Sequence, residues 1–276
     1  MVNHHPFTDK FSLHGKTAIV TGGVGILGRR FCSGLAEFGA QVAVVDLDEQ
    51  AVSGFAAELQ KMYGVKALGV GCDVSSLTQV QTMIRKVVDG LGGVHILHNN
   101  AASKSENLEA FFAPFEDYSL EQWREIMAVN LDGMFLVAQA AGKQMIAQGS
   151  GGSIIQTSSI YGIVGPDQRI YEGSKYMGRP INTPAVYSAS KAAIIGLTRH
   201  LSAYWAHYGI RVNNLIPGGN ESGQNDQFIT RYSARVPMGR MGQPDEMVGA
   251  LIYLASDASS YVTGQSLIID GGLSVW

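Results

Sequence analysis

The chain is poor in the residues that mark several common protein classes. It has two cysteines, Cys32 and Cys72, too few for a disulfide framework and without metal-ligand spacing. Both lie in apolar contexts and read as buried free thiols of a reducing, cytoplasmic compartment. Charged residues make up 16% of the chain and the formal net charge is −3, so no basic field invites nucleic acid. No apolar run is long enough to span a bilayer. The N-terminus is polar, carries His4 and His5, and lacks the charged-then-apolar order of a secretory signal. Residues 1–14 read as a mobile leader, and no metal site is expected there or elsewhere. There is no internal repeat, no low-complexity tract and no linker.

Hydrophobic residues are 46% of the 276, and 34 are glycine, which suits tightly packed layers. Short apolar runs rich in β-branched residues recur at Thr17–Thr21, Gln41–Asp46, Val65–Val70, His95–Asn99, Ser153–Thr157, Arg211–Ile216 and Ser266–Asp270. Apolar throughout rather than alternating, they read as strands covered on both faces. Helical stretches lie between them, at Gly28–Phe38, Glu49–Tyr63, Leu77–Leu91, Leu120–Gln148, Ala189–His207 and Asp245–Ala255. This alternation predicts a single α/β domain over residues 15–276, a parallel sheet joined by right-handed crossovers. Two stretches break the pattern: Gly162–Pro184, and the segment after Pro217, a lid of about 219–235. Both follow strands directly and should overhang the carboxyl edge of the sheet, where such folds bind ligands.

The segment from Thr21 to Gly28 follows the first strand and opens a helix, with glycines at 22, 23, 25 and 28. Gly22, Gly25, Ile26, Leu27 and Gly28 form a tight turn that lets backbone approach a pyrophosphate, and the helix N-terminus supplies free N–H groups. Asp46 ends the second strand, 18 residues after Gly28. A carboxylate there can bond both ribose hydroxyls of NAD and repels the 2′-phosphate of NADP, so NAD is the expected cofactor. Asp46 could equally cap the next helix, a role that Asp48 could also take. Asp73 and Val74 suit the adenine, and Asn100 and Ala101 the middle of the dinucleotide.

These pieces, with Asn99-Asn100-Ala101, Asn130 in Val-Asn-Leu-Asp-Gly, Ser158-Ser159, Tyr187-Ser-Ala-Ser-Lys191, Arg211-Val-Asn-Asn, Pro217-Gly218 and Tyr261-Val-Thr-Gly-Gln…Asp270-Gly-Gly, resemble the short-chain dehydrogenase/reductase family from about Gly15 to Trp276. The resemblance implies a doubly wound fold of Rossmann type, with a seven-stranded parallel sheet and helices on both faces. It also implies a catalytic tetrad of Asn130, Ser159, Tyr187 and Lys191, and further cofactor contacts from Pro217, Gly218, Asn220 and Ser222. The chemistry agrees. Hydride leaving an alcohol carbon requires the hydroxyl proton to leave too, and a tyrosine can take it if its pKa, ordinarily about 10, is lowered. Lys191 lies one helical turn from Tyr187, on the same face, and its charge favours tyrosinate. Lys191 should also bond the nicotinamide ribose. Ser159 would hold the substrate oxygen, and Asn130 a water linking Lys191 to solvent.

Tyr171-Glu-Gly-Ser-Lys175 fits the same Tyr-x-x-x-Lys pattern and lies 12 residues after Ser159, against 28 for Tyr187. Gly178, Pro180 and Pro184 follow it, so no long helix can carry that pair. An uninterrupted apolar helix follows Lys191, which favours Tyr187. Several positions depart from the family's commonest pattern: Ile26 stands where glycine is usual, Ala102 likewise, Asn220 replaces an apolar residue and Ser222 a threonine. None removes a required chemical group.

Relative to the family, about 15 residues are inserted between Pro166 and Pro180. Arg169, Lys175 and Arg179 there, with Gln224 and Asn225 in the lid, suit a polar substrate, polyhydroxylated or anionic; the alternative is a solvated loop or a subunit contact. The pattern is similar to sugar-modifying members of the family, such as those of flagellin-glycan (legionaminic-acid-type) synthesis, and more distantly to gluconate-type dehydrogenases. The implied activity is NAD-dependent interconversion of a secondary alcohol and a ketone on a sugar, sugar acid or related polyol. A 3-oxoacyl-thioester reductase is one alternative; a catalytically idle nucleotide-binding regulator is another. The apolar tail Leu273, Val275, Trp276 suggests a homotetramer.

Overall fold

The computed structural model describes residues 6–276. In chain order its elements are β1 (Thr17–Thr21), α1 (Ile26–Glu37), β2 (Gln41–Asp46), α2 (Glu49–Tyr63), β3 (Ala67–Gly71), α3 (Leu77–Leu91), β4 (Ile96–Asn99), α4 (Leu108–Phe111), α5 (Leu120–Met127), α6 (Met134–Gln148) and β5 (Gly152–Thr157). A two-stranded hairpin follows, β6 (Lys175–Tyr176) with β7 (Arg179–Pro180), then α7 (Ala185–Trp205), β8 (Ile210–Pro217), α8 (Asp226–Ser233), α9 (Val248–Ala255) and β9 (Ser266–Ile269). Seven strands form one sheet in the order β3-β2-β1-β4-β5-β8-β9, every pair parallel. The order reverses direction between β1 and β4, which opens a crevice at their carboxyl ends.

Each face of the sheet has its own core. Val42 and Val44 of β2 meet Phe31 and Leu35 of α1, Leu59 of α2 and Leu251 of α9 on one side. Val45, Leu97 and Ile154 meet Met83 and Val87 of α3, Met145 of α6 and Trp205 of α7 on the other. Burial on both faces is why the strands read as continuous apolar runs. The helix ends follow local chemistry: Asp48 caps α2 by accepting from the Gln50 and Ala51 N–H groups, and Gly64 ends it in the left-handed region. Two smaller clusters lie at the rim, one under α8 (Ile160, Ile170, Phe228, Tyr232) and one joining Phe111, Ile126 and Val186.

The architecture is the one expected, with three local differences. The core begins earlier than Gly15: Phe7–Phe11 form a 3-10 turn, and Leu13 is buried with its N–H on the Phe38 carbonyl at 2.9 Å. His4 and His5 lie outside the described residues. The run Leu120–Gln148, expected as one helix, is broken by a π turn at Ala128–Gly133. The stretches expected to be irregular contain the β6–β7 hairpin and α8. Both cysteines are buried free thiols.

Candidate active site

The glycine turn is shaped by close packing. Gly22 has φ +66°, and a Cβ on Gly28 would run into the Gly22 carbonyl, so neither position accepts a side chain. Gly25 precedes the first turn of α1 and offers no side-chain cap, and that turn holds no acidic residue. α2, α3 and α5 are each capped by a side chain, from Asp48, Ser76 and Ser119. The N–H groups of α1 are thus left for an anion. Thr21, whose part the sequence did not reveal, organises the crevice: its hydroxyl accepts from Asn100 N at 2.9 Å and Ala101 N at 3.0 Å, and it donates to Asn99. A polar residue ending an otherwise apolar strand was the available signal.

A cavity of about 370 Å³ joins these parts. Every residue expected to meet the first half of a dinucleotide lines it: Gly22, Gly25, Ile26, Leu27, Gly28, Asp46, Asp73, Val74, Asn100 and Ala101. Asp46 does not cap α2, since Asp48 does. Instead its carboxylate accepts from Val24 N at 3.2 Å and Leu47 N at 2.9 Å. It is therefore oriented by backbone at the lip of the cavity. An uncapped helix end, a glycine turn and a fixed carboxylate match the phosphate and ribose chemistry of a nicotinamide dinucleotide. Pro217 ends β8, and Gly218, Asn220 and Ser222 follow it; none of the four lines this cavity. There Gly218 N bonds the Ile269 carbonyl at 2.8 Å, and the Asn220 amide donates to the Gly218 carbonyl at 3.0 Å.

Tyr187 and Lys191 share α7, with the Lys191 ammonium 5.8 Å from the Tyr187 ring centre. Lys191 is 2% exposed and donates to the Thr157 carbonyl at 3.1 Å. Two contacts lock this helix to the segment that follows β5 and carries Ser159. The Ser158 hydroxyl donates to the Lys191 carbonyl at 2.6 Å, and Gly162 crosses Lys191 so closely that a Cβ would press on its backbone. Asn130 sits in the π turn, fully buried, its carbonyl oxygen accepting from Ser103 N at 2.8 Å. Its amide nitrogen is buried without a protein partner, and π turns recur at functional sites. Tyr171 ends a 3-10 turn, Gln168–Tyr171, while Lys175 lies in β6, so that pair shares no helix.

Burial dominates the electrostatics. It lowers the Lys191 ammonium to about 8. It also raises the Tyr187 phenol, which the Ser159 hydroxyl pulls back and Tyr171 pushes further up. The expected lowering of Tyr187 is therefore not produced by the protein's own groups: desolvation of the anion outweighs the Ser159 hydroxyl.

Four of the five residues expected to contact substrate have other partners. Arg169 makes two 2.8 Å bonds to Asp167 and is 83% exposed. Arg179 pairs with Glu109 at 2.6 Å, and Lys175 is exposed on the hairpin. The Gln224 side chain accepts from Ser222 N at 2.7 Å and donates to the Asn220 carbonyl, closing its own turn. Asn225 caps α8 through Phe228 N at 2.9 Å. None is brought against Tyr187.

A family model described as enoyl-(acyl carrier protein) reductase matches residues 25–274. D-threitol dehydrogenase of Mycolicibacterium smegmatis is 35% identical over 270 residues, covering 96% of this chain and 95% of that one. This chain belongs to the short-chain dehydrogenase/reductase family. A gluconate 5-dehydrogenase from Burkholderia cenocepacia, solved with NADP and tartrate, superposes with a TM-score of 0.86 at 35% identity, covering 99% of this chain and 100% of that one. A short-chain dehydrogenase from Leptospira borgpetersenii with bound NAD+ reaches 0.83 at 32% identity, covering 100% and 98%. The family thus includes members that bind NAD and members that bind NADP. Among the described residues no helix is long and apolar enough to cross a membrane.

Proposed function

We propose that this protein is an NAD-dependent oxidoreductase that interconverts a secondary alcohol and a ketone on a sugar, sugar acid or related polyol. The observation that carries this reading is the Tyr187–Lys191 pair, locked to the segment after β5 that carries Ser159, at the same sheet edge as the uncapped α1 turn. Relatives acting on threitol and gluconate support the substrate class. A bound nicotinamide would take or give the hydride. The chain's own groups handle the proton: Tyr187 accepts it from the substrate hydroxyl, Ser159 holds the substrate oxygen, and Lys191 holds positive charge beside the phenol. Asn130 holds a water leading to Lys191, a role that its buried, unpartnered amide nitrogen supports. Because burial raises Tyr187, positive charge added by an oxidised nicotinamide would be needed to favour tyrosinate.

Asp46 supports NAD over NADP. Residues 162–184 form the substrate loop and 219–235 the lid of a single catalytic domain, residues 15–276. Tyr261, Val275 and Trp276 are exposed, which supports a homotetramer, and the two buried thiols suit the cytoplasm. The test is a panel of sugars, polyols and sugar acids with NAD and with NADP, followed at the NADH absorbance band. An acyl-thioester reductase, the activity in the family model's description, would instead turn over a 3-oxoacyl or enoyl thioester with NADPH in the same assay.

A further inference from the structure

A second, larger cavity of about 780 Å³ lies between the insertion and the segment Ala113–Tyr118, a size usual for ligand pockets (about 300–1,000 Å³). Its floor is the first turn of α7: Pro184, Ala185 and Ser188, the residue after Tyr187. Tyr171 lines it too, tied to Thr183 by a 2.6 Å hydroxyl–hydroxyl bond. Tyr187 belongs to that same turn of α7, between Ala185 and Ser188, so the cavity borders the reaction centre. Gln168 holds the wall in place, donating to the Thr183 carbonyl at 2.9 Å and accepting from Thr183 N at 3.2 Å.

The lining contains no lysine, arginine or histidine. Its polar groups are hydroxyls and amides, and Glu172 is its one carboxylate. The arginines of the surrounding segments are engaged, and Lys175 is exposed on the hairpin, outside the lining. Arg169 and Arg235 both face Asp167, at 2.8 and 3.6 Å. A side-chain bond from Arg169 holds the Asp167 carboxyl down at about 2. Arg179 pairs with Glu109 at 2.6 Å. Arg231 donates to the Arg169 and Glu172 carbonyls and lies 3.8 Å from the Glu172 carboxylate. Lys104 lies over the Tyr176 ring at 5.3 Å, outside the cavity.

A substrate carboxylate entering here would lose water, meet no counter-charge and approach Glu172. Uncharged hydroxyls would find donors and acceptors of their own kind. We propose that this cavity takes the part of the substrate remote from the reacting carbon, and that it selects an uncharged polyol or ketose over a sugar acid. The proposal rests on the oxidoreductase reading above and narrows it.

The experiment compares kcat/KM for alditols of four to six carbons with aldonates of the same chain length, using NAD and the full chain. Wild type should favour the alditol at least ten-fold. Glu172→Gln should narrow that ratio several-fold by acting on the aldonate. Ala113→Trp, which fills the cavity, should raise KM for a six-carbon alditol far more than for 2,3-butanediol. Ser188→Leu is the second filling variant if Ala113→Trp does not fold. An aldonate preference in wild type, or filling variants that affect long and short substrates alike, overturns the proposal alone. No turnover of any alcohol by wild type, with either cofactor, overturns the oxidoreductase reading and the proposal together.

Discussion

On the β1 side of the crevice the site is made of backbone: a glycine turn, a helix end without a cap, and a carboxylate held by two main-chain N–H groups. On the β5 and β8 side it is made of side chains that engage one another across long sequence gaps. Arg231 of α8 reaches carbonyls of the insertion, and Tyr171 of the insertion packs on Phe228 of α8, ring centres 5.3 Å apart. On the function proposed above, the first side meets the dinucleotide, a ligand part that does not vary, and backbone geometry is enough for it. The second must fit one substrate among many, so its specificity depends on which side chains are free and which are already paired.

The largest expected effect lies where the two sides meet. Tyr187→Phe should lower kcat by about 10²–10⁴-fold, the usual worth of a positioned general acid or base. NAD affinity by fluorescence titration should stay near wild type, and Tyr171→Phe should retain substantial turnover. The reverse result in a steady-state assay would mean that the tetrad is misassigned. On the cofactor side, Asp46→Ala removes a charged hydrogen-bonding group, typically worth about 1.5–3 kcal/mol. The NAD-to-NADP ratio of kcat/KM should then fall by about 10–100-fold, and an unchanged ratio would separate Asp46 from cofactor choice.

Lys191 allows a test of stability. Burial lowers its ammonium from 10.5 to about 8, so between these values the unfolded chain binds the proton more readily than the folded one. The cost of the buried charge is full below about 8 and fades as pH rises toward 10.5. Lys191→Met should therefore be inactive yet melt a few degrees higher at pH 7, with the gap closing by pH 10.5. A Tm difference that does not change with pH would refute this. The smallest effect is on the substrate side. Gln168→Ala removes two bonds to Thr183, each worth about 1 kcal/mol, and should raise substrate KM by roughly five-fold while leaving the dinucleotide Kd unchanged. Equal losses in both would mean that the two sides are not separable.

Legibility in the sequence followed the same division. The bounds of β1, β2, α2 and α3 coincide with the sequence reading, because apolar runs, Asp48 and Ser76 caps and Gly64 and Gly92 stops act within a few residues. The lining of the cavity beside the glycine turn was legible for the same reason, down to Asp73 and Val74. The partners of Arg169 and Arg179 were not. Their charge suggested an anionic ligand, but pairing is a property of the fold: Glu109 lies 70 residues from Arg179. The π turn was hidden because its residues, Ala-Val-Asn-Leu-Asp-Gly, continue the helical pattern without a break. Leu13 was lost in the leader because one buried residue makes no period.

That π turn has a consequence for how the chain can change over time. It sets the phase between α5 and α6: a helix advances about 100° per residue, so losing one residue within Ala128–Gly133 would turn every position of one segment by that angle relative to the other. Met134, whose carbonyl receives the Asn99 amide at 2.7 Å, would swing away from the sheet, and the buried face of α6 would rotate with it. Side chains other than Asn130 and Gly133 can change along this stretch, but a change in its length cannot pass unnoticed.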